Sequence, residues 1–297
     1  MIKVLTAEYS GVCFGVRRAL EILEESVCLS KAENKKVVMF GPLIHNPRVV
    51  ESYLAQGVEV SDINGIKDNT IVVIRSHGIV SDDENVLKGK KNISIMDTTC
   101  PYVKRIHQLV MQRSLSGYAV IVMGDENHSE VKGITSRIKG DYIVVPAELN
   151  SAIEMSLSKF VLSHKKIYLV AQTTSVPSNY EKLIKKIRNI VQEIKDIHFE
   201  AARTVCKATL QRQDAAEELA SRVDAVVVIG GKNSSNTSKL FSVVKKRNHN
   251  SFMVESPEDF SGEQISFLMK CKVVGITAGA STPDEQIKEM KIFLEKL

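Results

Sequence analysis

The 297-residue sequence predicts an α/β fold of three similar units with mainly parallel sheets. Short runs rich in valine and isoleucine alternate with stretches of helical periodicity, a pattern typical of parallel strands joined by helices. Each run ends in a polar or glycine-containing corner. Three cysteines at positions 13, 100 and 206 occupy comparable corners and divide the chain into near thirds. This repetition indicates three units, each presenting one thiol to a common centre.

Seven strand-length runs lead into their corners in order along the chain. They are KVVMF with GPLIHN, TIVVI with RSHG, ISIM with DTTCP, YAVIVM with GDENHSE, KIYLV with AQTTS, AVVVI with GGKNSSN, and KVVGI with TAGAST. Runs of this length bounded by turn residues are typical of buried strands. We therefore predict a strand at each run and a helix after each corner.

The same pattern predicts the division of the chain. We expect α/β units over residues 14–100, 101–200 and 201–284, the third joined by an N-terminal strand within residues 1–13. A C-terminal helix is predicted over residues 285–297. No linker rich in proline, glycine or serine marks the boundaries, so their positions follow from the spacing of the cysteines alone.

The polar residues of the corners are candidates for ligand binding. In open α/β sheets ligands bind beyond the carboxyl ends of the strands, because helix N-termini and free backbone N–H groups converge there. The unusual polar residues of this chain lie at these ends: His45, His77, His128, Thr173, Thr174, Ser234, Ser235, Asn236 and Ser281. The other histidines lie in helical or loop-like stretches rather than at strand ends, so they are not candidates for ligand binding. They are His107, His164, His198 and His249.

The composition excludes several classes of protein. No apolar run approaches the roughly 18 residues needed to span a bilayer, so we expect a cytoplasmic chain with no membrane partner. Basic residues exceed acidic ones by 40 to 35, and this charge of +5 suits a small anionic ligand as well as nucleic acid. Nucleic acid is disfavoured because aromatic residues make up only 5% and no basic patch is interleaved with them.

Five cysteines, an odd number at wide spacing, disfavour a disulfide framework. Three of them, Cys13, Cys100 and Cys206, precede helix-like segments that carry nearby basic residues. Helix N-termini and cations favour a thiolate, which can bind a metal or an iron-sulfur cluster. A structural role stays open for these three thiols. For Cys28 and Cys271, which lack a flanking polar motif, we expect a buried apolar role.

Imidazoles, hydroxyls and an amide at strand ends are suited to surround a phosphate or diphosphate with hydrogen bonds. The corner at residues 230–236, GGKNSSN, has the composition of an anion-binding nest. An ordinary turn followed by a helix N-cap explains the same residues equally well. The three corner histidines could also complete a zinc site.

His128 and Glu130 place an imidazole and a carboxylate two residues apart at one strand end. This pair suits proton transfer if the pocket is partly desolvated, whereas a solvated capping glutamate is the alternative. Thr173 could be either a capping residue or a hydroxyl relay. The spacing alone does not decide between these roles.

Nine motifs occur in order across essentially the whole chain: GVCFGVRRAL, GPLIHNP, RSHGIV, DTTCPYVKRIH, NHSEVKG, AQTTSV, TVCKATLQRQ, GGKNSSNTSKL and TAGASTPD. In this order the chain resembles the 4-hydroxy-3-methylbut-2-enyl diphosphate reductases, the LytB or IspH family of the non-mevalonate isoprenoid pathway. The resemblance implies a trefoil of three α/β units around a central iron-sulfur cluster. It also implies reductive dehydroxylation of the allylic substrate to isopentenyl and dimethylallyl diphosphates, with release of water.

By this resemblance Cys13, Cys100 and Cys206 would ligate a [4Fe-4S] cluster that keeps one open iron. An external one-electron donor of the ferredoxin or flavodoxin type would supply electrons. Glu130 would be the proton donor, with Thr173 in its hydrogen-bond relay. The residues implied to hold the diphosphate are His45, His77, His128, Ser234, Ser235, Asn236 and Ser281. The chain departs from the family at Ser129, where many members have proline, and we expect slightly looser geometry there.

Two other functions use some of the same features. A redox-neutral iron-sulfur dehydratase also needs an open iron, but it consumes no electrons. An iron-sulfur regulatory or RNA-binding protein would suit the basic charge, but it lacks support from the aromatic content. We expect a monomer or a weak homodimer that does not bind nucleic acid.

Overall fold

The computed structural model describes residues 2–192, 194 and 196–297. Within these ranges the chain forms twelve strands and eleven α-helices, with one 3-10 turn at Pro257–Asp259. The strands are β1 (Lys3–Thr6), β2 (Lys36–Phe40), β3 (Glu59–Ser61), β4 (Thr70–Ile74), β5 (Ser94–Asp97), β6 (Ala119–Met123), β7 (Tyr142–Val145), β8 (Lys166–Ala171), β9 (His198–Ala201), β10 (Ala225–Ile229), β11 (Ser251–Val254) and β12 (Val273–Ala278).

The helices follow the corners. They are α1 (Phe14–Glu33), α2 (Pro47–Leu54), α3 (Ser81–Gly89), α4 (Pro101–Leu115), α5 (Ser129–Thr135), α6 (Ser151–Leu162), α7 (Pro177–Gln192), α8 (Lys207–Ala220), α9 (Ser235–Arg247), α10 (Gly262–Leu268) and α11 (Asp284–Lys296). Each of the seven predicted strand runs is a strand within two residues of its predicted ends.

The described strands form three four-stranded sheets, and the strands within each sheet pair in parallel. Their strand orders are β1-β12-β10-β11, β3-β2-β4-β5 and β7-β6-β8-β9. The predicted fold class of three α/β units with parallel sheets is thereby confirmed. Strands β3, β7, β9 and β11 were not predicted, and each lies at the edge of its sheet.

The interior strands form because branched apolar side chains fill both of their faces. Every residue of β4, β6 and β10 is buried, and valine and isoleucine favour the extended backbone. In β6, Ile121 and Met123 pack with residues of α6 and α7. Val120 and Val122 point to the opposite face and pack with residues of α4 and α5. This packing fixes α4 and α5 on one side of the sheet.

The described chain separates into two compact units. The first unit comprises Met1–Arg17, Ile44–Tyr53 and Lys207–Leu297, and it contains the sheet β1-β12-β10-β11. The second unit comprises Arg18–Leu43 and Leu54–Cys206, and it contains the other two sheets. The predicted division at residues 14, 101, 201 and 285 stays a prediction.

The expectation for the two remaining cysteines was wrong for Cys28. Its thiol is exposed, because α1 buries Leu23 and Ser26 on its inward face and Cys28 lies two residues further round the helix. Cys271 is partly buried and packs against the core of the first unit. No helix in the described ranges is long and apolar enough to cross a membrane.

Candidate active site

Two of the corner imidazoles meet in the second unit. His77 follows β4, and His128 follows β6 and precedes α5. Their ring centroids lie 5.4 Å apart with the planes at 84°, an edge-on contact. Nδ1 of His128 accepts a hydrogen bond from the backbone N–H of Glu130 at 3.1 Å. In the neutral ring this leaves the hydrogen on Nε2, which can donate to an anion.

Glu130 is a buried carboxylate held by a neighbouring corner. Its side chain is 1% exposed. Oε1 accepts from the backbone N–H of Thr173 at 2.6 Å, and Oε2 accepts from the hydroxyl of Thr173 at 2.8 Å. The two corners meet because β6 and β8 are adjacent parallel strands. A buried carboxylate is stable only when its oxygens are hydrogen-bonded in this way.

Two of the three predicted cluster cysteines, Cys100 and Cys206, lie in the second unit and are tied to these corners through their backbones. The N–H of Cys100 donates to the carbonyl of Ser76 at 2.9 Å, next to His77. The N–H of Cys206 donates to the carbonyl of Thr173 at 3.0 Å. Each thiol is partly exposed, and a helix begins at the next residue, α4 in one case and α8 in the other. The predicted position of these cysteines before helices is confirmed.

The contacts of the second unit therefore join six of the predicted site residues into one continuous series. In spatial order the series consists of Cys100, His77, His128, Glu130, Thr173 and Cys206. The imidazole pair and the buried acid lie between the two cysteines, an arrangement that combines anion recognition with proton transfer next to possible metal ligands.

The first unit brings together another set of predicted residues. The backbone N–H of Cys13 donates to the carbonyl of Ala280 at 3.1 Å, and the N–H of Ala280 donates to Oδ1 of Asn236 at 2.9 Å. These contacts form because β1 and β10 both pair with β12. The hydroxyl of Ser281 donates to the carbonyl of His45 at 3.2 Å. The corner residues Cys13, His45, Asn236 and Ser281 are thus linked within one unit.

The GGKNSSN corner serves as the start of α9. Oγ of Ser234 accepts from the backbone N–H of Thr237 at 3.3 Å, so this serine is an N-cap, and Ser235 is the first helical residue. A methyl group added to Gly231 would lie 2.6 Å from the carbonyl oxygen of His45. Only glycine permits this close approach of the two corners. The cap leaves the N-terminus of a 13-residue helix available for an anion.

Two further residues hold these corners, and sequence reasoning did not single out the first of them. Asn46 is buried; its amide donates to the carbonyl of Ser281 at 2.9 Å and to Gln286 at 3.1 Å. Its side-chain oxygen accepts from the N–H of Val49 at 3.3 Å, in the first turn of α2. The sequence signal was asparagine directly before a proline, a combination typical of a helix start.

Arg212 is the second such residue. Its buried guanidinium donates from Nε and NH2 to the carbonyl of Gly11, at 3.1 and 2.6 Å. Gly11 has φ of +78° and lies two residues before Cys13. Arg212 is one of the basic residues that follow Cys206, which we expect to favour a thiolate there. Its observed bonds fix the backbone that leads to Cys13.

Lys104, one of the basic residues after Cys100, forms an ion pair with Asp97 at 2.6 Å. Burial alone would raise the pKa of the Asp97 carboxyl, but hydrogen bonds from Lys104 and Thr99 lower it below its ordinary value. The charge of Lys104 is therefore partly compensated by its own neighbour.

Comparison with known families identifies the family to which this chain belongs. The family model described as LytB protein matches residues 4–295. The chain therefore belongs to the LytB protein family. A relative from Aquifex aeolicus (strain VF5), named 4-hydroxy-3-methylbut-2-enyl diphosphate reductase, is 37% identical over all of this chain and 97% of its own length. A relative with the same name from Clostridioides difficile (strain 630) is 37% identical over the full length of both chains.

Solved structures agree with this membership. One, titled as the structure of (E)-4-hydroxy-3-methyl-but-2-enyl diphosphate reductase, the terminal enzyme of the non-mevalonate pathway, has a TM-score of 0.69. It is 36% identical to this LytB chain and covers all of both chains. A reductase from Plasmodium falciparum has a TM-score of 0.87 at 26% identity, covering 98% of this chain and 87% of its own. The predicted family is confirmed.

Proposed function

We propose that this LytB chain is a reductase that converts (E)-4-hydroxy-3-methylbut-2-enyl diphosphate into isopentenyl and dimethylallyl diphosphates. This is the activity that the resemblance predicted and that the relatives carry in their names. The observation that carries the proposal is the buried carboxylate of Glu130, clamped by Thr173 and joined through its backbone to His128. A protected acid beside an imidazole pair suits delivery of a proton to an anchored anionic substrate.

Imidazoles and backbone N–H groups are the proposed donors to the diphosphate. Nε2–H of His128 and the neighbouring ring of His77 supply imidazole donors, and the N-terminus of α9 supplies backbone N–H groups and a partial positive charge. The full set proposed to bind the diphosphate comprises His45, His77, His128, Ser234, Ser235, Asn236 and Ser281. Anchoring the diphosphate at many points fixes the short prenyl chain, so orientation lowers part of the barrier.

Reductive loss of the hydroxyl requires two electrons and two protons, and it yields one water for each product. The proposed role of Glu130 is to deliver a proton to the leaving oxygen, because hydroxide is a poor leaving group unless it is protonated. The hydroxyl of Thr173 donates to Oε2 of Glu130 and so orients the carboxyl group. The low exposure of Glu130 excludes bulk water from this transfer.

We propose that Cys13, Cys100 and Cys206 ligate a [4Fe-4S] cluster. The donor set fits such a group: none of the three thiols forms a disulfide, each is partly exposed, and each directly precedes a helix, whose N-terminus favours a thiolate. When bound, the cluster supplies electrons one at a time and a Lewis-acidic iron without a protein ligand. A ferredoxin-like or flavodoxin-like partner is the proposed electron donor. The proposed location is cytoplasmic, because an odd number of widely spaced cysteines disfavours a disulfide framework.

Anaerobic preparation tests the cofactor and the reaction separately. Protein reconstituted under nitrogen should hold about four irons and four sulfides per chain. With a chemical reductant and the diphosphate substrate, it should consume two electrons for each product molecule formed. A protein with a full cluster that forms product without consuming electrons would instead be a dehydratase, and the proposed function would be wrong.

Replacement of a proposed ligand is the matched test of the cluster. Cys100→Ser should lose cluster iron and sulfide, because the hydroxyl is a much weaker ligand than the thiolate. Cys28→Ser is the control, because Cys28 is exposed and lies within α1. Equal iron and sulfide contents in the two variants would refute the assignment of Cys100.

A further inference from the structure

His107 is a buried histidine outside the proposed substrate and cluster residues. It lies on α4, seven residues or about two turns after Cys100. Its side chain is only 7% exposed. Its sequence position carried no functional signal, because it falls within a helical stretch rather than at a strand end.

The imidazole of His107 packs against two glycines. A methyl group added to Gly78 would lie 3.1 Å from Cε1 of His107, and one added to Gly133 would lie 3.3 Å from Nε2. Gly78 has φ of +76° and needs glycine for its backbone. Gly133 has no such need; within α5 it costs about 1 kcal/mol of helix stability relative to alanine. Contact with the imidazole supplies the reason for glycine at this position.

Both glycines adjoin proposed site residues. Gly78 directly follows His77, and Gly133 lies three residues, about one helical turn, after Glu130. A side chain between these glycines therefore sets the distance between the His77 corner and α5. The imidazole of His77 meets that of His128, the residue directly before α5, edge-on.

Other bonds draw the same two segments together around the ring. NH1 of Arg137 donates to the carbonyls of Ile79 and Gly133, both at 2.8 Å. Ser81 donates two further hydrogen bonds to Ser136, from its backbone N–H to the hydroxyl oxygen at 3.1 Å and from its hydroxyl to the backbone carbonyl at 2.8 Å. These hydrogen bonds favour a closer approach of the His77 corner and α5, and the imidazole between the two segments opposes it.

The ring itself makes a steric rather than a polar contact. Its buried Nε2 has no hydrogen-bond partner among the described residues. Burial, reinforced by the charge of Arg137, lowers the pKa of His107 to about 3, so the ring is neutral near pH 7. His107 also lines a cavity of about 460 Å³ together with Thr99 and Gln108. A smaller side chain would therefore leave α5 and the His77 corner room to move.

We propose that His107 is a positioning residue whose imidazole acts as a spacer between the His77 corner and α5. The spacing keeps His77 in contact with His128 and keeps Glu130 in reach of Thr173. This inference rests on the proposed function, since it assigns diphosphate binding to the two imidazoles and proton delivery to Glu130.

The test uses four variants of the anaerobically prepared holoprotein: His107→Ala, His107→Gln, Gly133→Ala and the double variant His107→Ala/Gly133→Ala. Gln108→Ala is the control, because it lies next to His107 on α4, lines the same cavity and is exposed. For each protein the readouts are iron and sulfide content, the Tm, the Kd for isopentenyl diphosphate by calorimetry, and kcat and KM.

His107→Ala should retain the cluster, weaken the binding of isopentenyl diphosphate on the order of tenfold and lower kcat by a similar factor. His107→Gln, which keeps most of the side-chain volume, should recover most of both losses. Gly133→Ala should weaken binding in the wild-type background, where its methyl group meets the imidazole. In the His107→Ala background the same change should be neutral or favourable, because the methyl group then fills the space left by the ring.

Two results would overturn the spacer role. One is wild-type Kd, KM and kcat in His107→Ala with only a lower Tm, which would make the residue merely structural. The other is an equal effect of Gly133→Ala in both backgrounds. Failure of the proposed function would be seen in the wild type itself, as a full cluster without diphosphate binding or turnover. Failure of the spacer role would be seen only in variants of an active protein.

Discussion

The carboxylate of Glu130 is held in place by Thr173. Thr173 donates two hydrogen bonds to it, one from its backbone and one from its hydroxyl. The backbone of the same threonine also accepts from Cys206. One residue therefore orients the proposed acid and holds the backbone of a proposed cluster ligand. The orientation of Glu130 is for this reason coupled to the local structure at Cys206.

Glu130→Gln should retain iron and sulfide but lower kcat about 10²- to 10⁴-fold, because the amide keeps the shape of the side chain and removes its acidic proton. Glu126→Gln is the control, since Glu126 is exposed in the same corner and loses the same charge. Steady-state kinetics of the two variants at matched cluster content provide the measurement. A Glu130→Gln variant with wild-type kcat would contradict the role of proton donor.

The low pKa of His107 makes folding sensitive to acid. Its folded value of about 3 lies below the ordinary value of 6.5, so below pH 6.5 the unfolded chain binds a proton that the folded chain does not. Stability should therefore fall as the pH is lowered. Between pH 7 and pH 5 the wild type should lose about 2 kcal/mol more than His107→Gln. Anaerobic thermal unfolding at both pH values measures this difference; parallel losses in the two proteins would contradict it.

At the residue scale, the sequence predicted which residues belong to the candidate site better than it predicted the contacts between them. Glu130 and Thr173 were both recognised from their corners, but their pairing depends on β6 lying beside β8, which the sequence does not state. His107 and Asn46 were missed because burial and tertiary hydrogen bonds, rather than motif position, define what they do. Cys28 was misjudged for the same reason, since its exposure depends on which face of α1 is covered.

The departure from the family pattern, serine in place of proline at position 129, lies at the start of helix α5. Ser129 is its first residue, the position at which proline is best tolerated because its missing N–H has no intrahelical partner. The preceding residue, His128, has φ of −71° and ψ of 137°, a backbone conformation that proline favours in its predecessor. The family's usual proline would thus fit this helix without rearrangement.

Ser129→Pro should raise the stability of the chain by about 0.4–1 kcal/mol, because it restricts the unfolded chain without straining the folded one. The turnover should persist, since Glu130 and its bonds to Thr173 are retained. Ser151→Pro in α6 is the control at another first helical position. Thermal unfolding and steady-state kinetics check the prediction. A lower Tm for Ser129→Pro would contradict it, because it would show that proline strains the start of α5.

At the element scale, periodicity found the interior strands and missed most of the edge strands. Strands such as β4 and β10 are buried on both faces and read as continuous apolar runs. The edge strands β3 and β9 are partly exposed, so their sequences, EVS and HFEA, carry mixed polarity. Sequence patterns record burial, and only elements with strong burial could be predicted from them.

At the scale of the whole molecule, the first compact unit is assembled from separated parts of the chain. Its sheet pairs the first strand, β1, with the last, β12. Its core also includes the last helix, α11, which contributes Met290 and Leu294. Spacing along the sequence cannot reveal such pairings, because they join residues more than 250 positions apart. The stability of this unit therefore depends on both ends of the described chain.

Leu294→Ala should destabilise the first unit by about 2–5 kcal/mol, because Leu294 is 0% exposed and its loss leaves a cavity. Ile292→Ala is the control, since Ile292 lies on the same helix and is 52% exposed. Hydrogen exchange resolved by peptide should show faster exchange in β10 and β12, with β6 and β8 unchanged, because the latter belong to the other unit. Equal loss of protection in all four strands would mean that the two units unfold as one cooperative body, and the free energy of unfolding would then be a property of the whole chain.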